Sequence, residues 1–175
     1  MKHLITVLFS LIIMSSTYSQ SFYQLSIQSI DNKEIKMSDY KDKYVLIVNV
    51  ASHCGYTSQY ADLQKLSEKY SDKLVVLAVP CNQFGAQEPG NEKQIKIFCE
   101  SKFNVSFPMT EKVNVKGKHQ HPLYSWLTNK EQNKLGDFNV SWNFNKFLIS
   151  NDGELISYFK SGVNPLDNQI TDMLK

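Results

Sequence analysis

The residues of this chain best suited to chemistry are its three cysteines, which lie far apart at Cys54, Cys81 and Cys99. Cys54 stands in the segment VNVASHCGYT, where an apolar run ends and a glycine follows. Because no two cysteines form a C-x-x-C pair, the spacing does not favour a thiol:disulfide exchange protein. A lone cysteine in this place is either a reactive nucleophile or a small buried side chain.

The elements that must position Cys54 support the nucleophile. Residues 44–50, YVLIVNV, are a nearly continuous apolar and β-branched run typical of a central strand covered on both faces. A helix is predicted from about Thr57 to Tyr70, so Cys54 lies between a strand end and a helix start. Open α/β sheets place their sites there, and N–H groups at a helix start stabilise a thiolate. Position alone leaves both interpretations open.

The other predicted elements complete an α/β domain with a central mixed sheet flanked by helices. In chain order they are a small N-terminal hairpin turning at Asp31-Asn32, a strand over 73–80, a helix over 91–103, a helix over 123–128, a hairpin around NDG, and a C-terminal helix. The strands 44–50 and 73–80 should be parallel, joined by a right-handed crossover. Asn91 and Gln94 predict a capping box, and Asn164 a cap before Pro165. This order predicts a thioredoxin-like fold.

The composition describes one ordinary globular domain. The chain has 175 residues, of which 42% are hydrophobic and 21% charged, with a net charge of +2. Its lysines and acids are interleaved, so no nucleic-acid partner is expected. The sequence contains no arginine.

The N-terminus predicts export to the periplasm or outside the cell. Lys2 precedes an apolar run from Leu4 to Met14, followed by small and polar residues. The run is too short to span a bilayer, so no stable membrane insertion is expected. We predict a signal peptide over residues 1–19, cleaved near Ser19, and one domain over 20–175. Three cysteines in an exported chain leave at least one thiol unpaired, which makes a redox role plausible.

Three ordered segments of the chain resemble the signatures of glutathione peroxidases. They are VNVASHCGYT around Cys54, VPCNQFGAQEPG with Gln87, and WNFNKFL with Trp142 and Asn143. The resemblance runs from about Tyr23 to the end and implies that these four residues form the catalytic tetrad. It implies an antioxidant thiol peroxidase that reduces hydrogen peroxide and organic, including lipid, hydroperoxides. It implies no bound cofactor, but a thiol reductant as co-substrate, either a thioredoxin-like protein or glutathione.

Cys99 lies in IKIFCESKFNVSFP, which resembles the segment of the resolving cysteine in two-cysteine, thioredoxin-dependent members. The resemblance therefore implies a Cys54–Cys99 disulfide. A physical objection is that Ile95, Cys99 and Phe103 share one face of the predicted helix, as core residues do. If that helix is intact, a disulfide, which needs Cα atoms within about 7 Å, requires local unwinding. A core-packing Cys99 stays open as the alternative, whereas Cys81 is interpreted as packing.

The missing arginine bears on the reductant. Direct users of glutathione are held to bind its carboxylates with basic residues, prominently arginine, whose planar fork suits them. A protein reductant is therefore favoured over glutathione. The stretch before the third motif is short, as in monomeric members with an open site, so we expect a monomer that admits bulky hydroperoxides.

A metal-binding module is the remaining alternative. His53 adjoins Cys54, and His119 and His121 lie two apart. The cysteines have no ligand-like spacing, so no metal site is predicted.

Overall fold

A computed structural model describes residues 20–174, so the predicted signal peptide lies outside the described residues. The strands are β1 (Ser26–Gln28), β2 (Glu34–Lys36), β3 (Tyr44–Val50), β4 (Leu74–Pro80), β5 (Lys146–Ile149) and β6 (Leu155–Phe159). The helices are α1 (Gln59–Lys69), α2 (Glu92–Phe103), α3 (Pro122–Thr128), α4 (Lys130–Asn133) and α5 (Asn168–Thr171). Short 3-10 turns cover Phe22–Gln24, Met37–Tyr40 and Asp172–Leu174.

The central sheet is mixed, as predicted, with the strand order β4-β3-β5-β6. β3 and β4 run parallel, with Tyr44 opposite Leu74 and Val50 opposite Pro80. β5 runs antiparallel to β3, and β6 antiparallel to β5. Because β3 lies between β4 and β5, the end of β3 that leads to Cys54 is close to the start of β5.

Both faces of β3 are covered, which explains its unbroken apolar sequence. Leu46, Val48 and Val50 pack into the core beneath α1 and α2. Val45 and Ile47 face the opposite core, which includes the side chains of α3 and of the N-terminal segment. The sheet thus carries a packed layer on each side, and the loops at its edges carry the polar residues.

The N-terminal hairpin is confirmed as a separate two-stranded sheet. Ile27 pairs with Ile35 across β1 and β2. Phe22, just before β1, packs its ring 5.4 Å from that of Trp126 on α3. The hairpin therefore closes the core face opposite α1 and α2.

The predicted capping box of α2 is confirmed. Asn91 Oδ1 accepts from the Gln94 amide at 3.0 Å, and Gln94 Oε1 accepts from the Asn91 amide at 3.0 Å. These bonds satisfy two amides that a helix start leaves free.

The predicted start of the C-terminal helix is wrong. α5 begins at Asn168 with Asp167 as its cap, not at Asn164. Asn164 instead closes a turn by accepting from the Leu166 amide at 2.8 Å, while its Nδ2 donates to Asp62 at 2.8 Å. An Asn-Pro pair at a turn gives the same local signal as a capped helix start.

Within residues 20–174, none of the helices combines the length and the apolar character needed to cross a bilayer.

Candidate active site

Cys54 is held in a tight loop between β3 and α1. The Thr57 hydroxyl accepts from the Cys54 amide at 2.9 Å and donates to the Ala51 carbonyl at 2.9 Å. The Thr57 amide in turn donates to the Cys54 carbonyl at 3.0 Å. These three bonds make Thr57 the residue that fixes the loop, and they leave Cys54 9% exposed.

The sulfur of Cys54 accepts a hydrogen bond from a loop amide. The Tyr56 N–H lies 3.4 Å from Cys54 Sγ. The prediction placed Cys54 at a helix start, but α1 begins only at Gln59. The N–H donor to the sulfur is therefore supplied by a turn and not by the first turn of a helix.

Gln87 and Asn143 are brought together beside this loop. The His53 amide donates to the Gln87 carbonyl at 3.0 Å, which ties the second motif to the residue next to Cys54. Asn143 Nδ2 donates to Gln87 Oε1 at 3.0 Å, which ties the third motif to the second. Both amides were expected to donate to sulfur. In the structure the Asn143 amide instead donates to Gln87 Oε1 and so orients the Gln87 side chain. Gln87 Nε2 can still donate a hydrogen bond.

Trp142 lies at the surface and not in the core, where an isolated aromatic residue is usually found. Its side chain is 39% exposed, and its ring centroid lies 5.9 Å from that of Phe84 in the second motif. The Trp142 carbonyl accepts from Asn49 Nδ2 at 2.9 Å. An aromatic held by its backbone yet exposed on one face is suited to contact a substrate.

Sequence reasoning missed a set of buried polar residues within and beside the third motif. Asn49, the sixth residue of β3, accepts from the Phe144 amide through its carbonyl. Asn145 Nδ2 donates to Ser161 Oγ at 2.8 Å, and Ser161 Oγ donates to the Asn143 carbonyl at 2.6 Å. Asn49 interrupts the apolar run YVLIVNV. A polar residue in a strand covered on both faces must find hydrogen-bond partners, and this signal could have identified the buried polar set.

Lys146 is the most unusual member of this set. It is the first residue of β5 and is fully buried, and its Nζ donates to the Phe144 carbonyl at 2.9 Å. Phe144 has the left-handed φ of +65°, which costs a non-glycine residue energy. Lys146 thus donates to the Phe144 carbonyl, and the Asn49 carbonyl accepts from the Phe144 amide. Together they hold the strained residue that follows Asn143. Burial lowers the pKa of Lys146 from 10.5 to about 7.

Cys99 lies inside α2 and is fully buried, on the face it shares with Ile95 as predicted. The pKa of the Cys99 thiol is raised to about 12, mainly by burial, with smaller contributions from the charges of Glu88 and Glu100 and an opposing effect of the Tyr60 hydroxyl. All three cysteines are free thiols in this structure. The predicted Cys54–Cys99 disulfide is not formed in this state, in which Cys99 lies within the intact helix α2.

The comparisons with known proteins decide the family. Residues 22–128 match the family model for glutathione peroxidase. A glutathione peroxidase-like peroxiredoxin 2 of Saccharomyces cerevisiae is 42% identical over 157 residues, covering 88% of this chain and 97% of the yeast protein. The chain belongs to the glutathione peroxidase family. It is a peroxidase of the cysteine type.

Two further relatives agree with this assignment to the glutathione peroxidase family. Hydroperoxy fatty acid reductase gpx1 of Synechocystis is 39% identical over 158 residues, covering 87% of this chain and 94% of that protein. The crystal structure of Trgpx in its apo form matches with a TM-score of 0.68 at 37% identity, covering 89% of this chain and 96% of that chain. The match in three dimensions confirms the predicted thioredoxin-like fold.

The other residues considered in the sequence have structural partners in this glutathione peroxidase. Cys81 is fully buried, and its sulfur accepts from the Gln83 amide at 3.4 Å, which agrees with packing. His121 caps α3, with Nδ1 accepting from the Leu123 amide at 3.2 Å. Among residues 20–174, no three His, Cys, Asp or Glu side chains are grouped as a metal ion would need.

Proposed function

We propose that Cys54 is the peroxidatic thiolate of this peroxidase and that Gln87, Trp142 and Asn143 assist its reaction. The observation that carries the proposal is the chain of contacts from the Cys54 loop to Gln87 and from Gln87 to Asn143. It joins segments of the three motifs, up to 89 residues apart in sequence, next to the loop that carries Cys54.

In the proposed reaction, the Cys54 thiolate attacks the distal oxygen of a hydroperoxide. The S–O bond forms as the O–O bond breaks, and the departing oxygen leaves as water or an alcohol after taking up a proton. The products at the enzyme are a sulfenic acid and a reduced substrate. Neutral N–H donors such as Gln87 Nε2 and the Trp142 indole can stabilise the charge that develops on the departing oxygen, an effect that is typically large.

Cys99 is proposed as the resolving cysteine, which attacks the sulfenic acid to give a Cys54–Cys99 disulfide. A thioredoxin-like protein then reduces that disulfide. The absence of arginine argues against a glutathione carboxylate site. The yeast relative is named a peroxiredoxin, which also favours this route. α2 ends four residues after Cys99, and unwinding at that end breaks the bonds that the Asn104 and Val105 amides donate to the Glu100 and Cys99 carbonyls.

The proposed substrates are hydrogen peroxide and bulky organic hydroperoxides, including those of lipids. Trp142 and Tyr56 are each 39% exposed, which leaves an open apolar surface beside Cys54. The Synechocystis relative is named a hydroperoxy fatty acid reductase. We further propose that the enzyme is exported after cleavage near Ser19 and acts as a monomer in the response to oxidative stress.

The experiment is steady-state peroxide reduction with thioredoxin plus its reductase, compared with glutathione plus its reductase. We expect turnover with thioredoxin that exceeds turnover with glutathione, and none in the Cys54→Ser variant. The Cys99→Ser variant should complete one fast peroxide burst and then stop with thioredoxin. Equal thioredoxin turnover in Cys99→Ser would instead favour a peroxidase without a resolving cysteine, for which the complete burial of Cys99 is the supporting observation.

A further inference from the structure

Glu88 is a buried carboxylate that has no role in the reaction proposed above. The residue is 1% exposed, and neither of its carboxylate oxygens has a partner in hydrogen-bond geometry among the described residues. Burial raises the pKa of Glu88, while the nearby hydroxyl and amide of Ser52 lower it. Burying a carboxylate is costly, and Ser52, Lys112 and His53 are the neighbours that favour its charged form.

Glu88 borders a cavity that separates the segments of the two reactive cysteines. The cavity has a volume of about 390 Å³ and is lined by residues of three segments. Ser52 and His53 come from the loop that carries Cys54, residues 88–90 from the second motif, and Gln94, Ile95 and Phe98 from α2. His53 immediately precedes Cys54, and Phe98 immediately precedes Cys99. The carboxylate therefore lies at a cavity that borders both the loop carrying Cys54 and the helix carrying Cys99.

The Cys99 thiol needs a base in this region. With a pKa of about 12, only about one thiol in 10⁵ is ionised at pH 7 before α2 moves. The neutral thiol is a poor nucleophile. The charge of Glu88 already acts on Cys99 and on Tyr60, since it raises the pKa of both groups. This repulsion opposes a free thiolate, so the proton must leave as the new bond forms.

We propose that Glu88 accepts the proton of the Cys99 thiol as Cys99 attacks the Cys54 sulfenic acid, and returns it to the departing hydroxyl. The S–S bond forms while the S–O bond of the sulfenic acid breaks. The Cys99 sulfur is oxidised, the Cys54 sulfur is reduced, and the hydroxyl leaves as water with the proton from Cys99. The proposal rests on the resolving role proposed for Cys99.

The other titratable groups around Glu88 are less suited to this role. Tyr60 and Cys81 have pKa values raised by burial, so both stay protonated at neutral pH. Lys112 donates through Nζ to the Glu88 and Gly90 carbonyls, so its cation holds the backbone of the second motif. His53 remains the competing base, because its ring centroid lies 6.4 Å from that of Phe98 on α2.

The test separates the first and second chemical steps in the intact protein. One equivalent of hydrogen peroxide is added between pH 5 and 9, and alkylation at timed intervals followed by mass spectrometry measures the Cys54 sulfenic acid and the disulfide. In Glu88→Gln the sulfenic acid should form at the wild-type rate. The disulfide should form about 10²-fold more slowly at pH 7, within the range typical of a lost general base.

The pH profile identifies the role of Glu88. In the wild type the disulfide rate should fall in acid as Glu88 is protonated. In Glu88→Gln the titration step of that acid limb should vanish, and the rate should rise without a plateau as the Cys99 thiol ionises. Glu88→Asp should keep the acid limb, which a change in packing alone would not produce, and it decides the question if Glu88→Gln does not fold.

Two matched variants serve as controls. Glu100 also raises the pKa of Cys99, but its side chain is 52% exposed, so Glu100→Gln should leave the disulfide rate and its acid limb intact. His53→Gln should do the same. Wild-type behaviour of Glu88→Gln, or loss of the acid limb in His53→Gln instead, overturns the proposal while the resolving role of Cys99 stands. If the wild type forms no Cys54–Cys99 disulfide, both proposals fall.

Discussion

Replacing Lys146 with methionine removes a buried ammonium group from the third motif. Methionine has a similar length and no charge, so the change isolates the ionisation of the lysine. Folding moves the Lys146 pKa from 10.5 down to about 7. Between these values the unfolded chain binds a proton that the folded protein does not, so the free energy of unfolding rises with pH.

The size of the effect follows from that pKa difference. One unit of pKa corresponds to about 1.4 kcal/mol, so the cost of holding Lys146 is largest below pH 7, at about 4–5 kcal/mol. The cost declines as the pH rises from 7 toward 10.5. Between pH 6 and pH 9 the wild type should therefore gain about 2.5 kcal/mol of stability relative to Lys146→Met, nearly all of it above pH 7.

The assay is urea unfolding of the reduced protein at intervals between pH 6 and 9. Lys160→Met is the matched control, since Lys160 is an exposed lysine directly after β6. Its stability should follow that of the wild type at every pH. The reasoning would be refuted if the free energy of unfolding changed with pH in the same way for wild type and Lys146→Met. That result would mean that the Lys146 pKa is the same in the folded and unfolded states.

Three further predictions concern the site and the helix that carries Cys99. Gln87→Ala should slow the peroxide burst by about 10²-fold, since one donor to the departing oxygen is lost, and an unchanged burst in stopped flow would remove Gln87 from the catalytic set. Asn143→Ala should also slow the burst, but less, because its amide acts by orienting Gln87; a larger loss than in Gln87→Ala would mean that it contacts the substrate itself. Asn91→Ala should lower the free energy of unfolding by about 1 kcal/mol, because the capping box of α2 is broken, and an unchanged urea midpoint would contradict this role.

The strands, helices and caps could be predicted where the signal is local. The apolar run of β3 and the capping box at Asn91 and Gln94 depend on a few adjacent residues, and the structure confirms both. The start of α5 could not be predicted, because the alternative turn at Asn164 depends on Asp62, which is 102 residues away.

The motifs identified the candidate site, but they did not predict the hydrogen bonds that join its residues. Sequence placed Cys54, Gln87, Trp142 and Asn143 in one site, and the structure joins their segments. The direction of the Asn143 amide depends on the packing of two loops, which sequence does not specify. The burial of Lys146 could not be predicted, because it follows from the pairing of β5 between β3 and β6.

The central claim is that Cys54 reacts with peroxide and is then resolved by Cys99. The most direct measurement is peptide mass spectrometry under non-reducing conditions after one equivalent of hydrogen peroxide. We predict one new disulfide, joining the peptides of Cys54 and Cys99, with the Cys81 thiol still open to alkylation. A Cys54–Cys81 link, or a Cys54 that is oxidised to sulfinic acid while Cys99 stays reduced, would contradict the account.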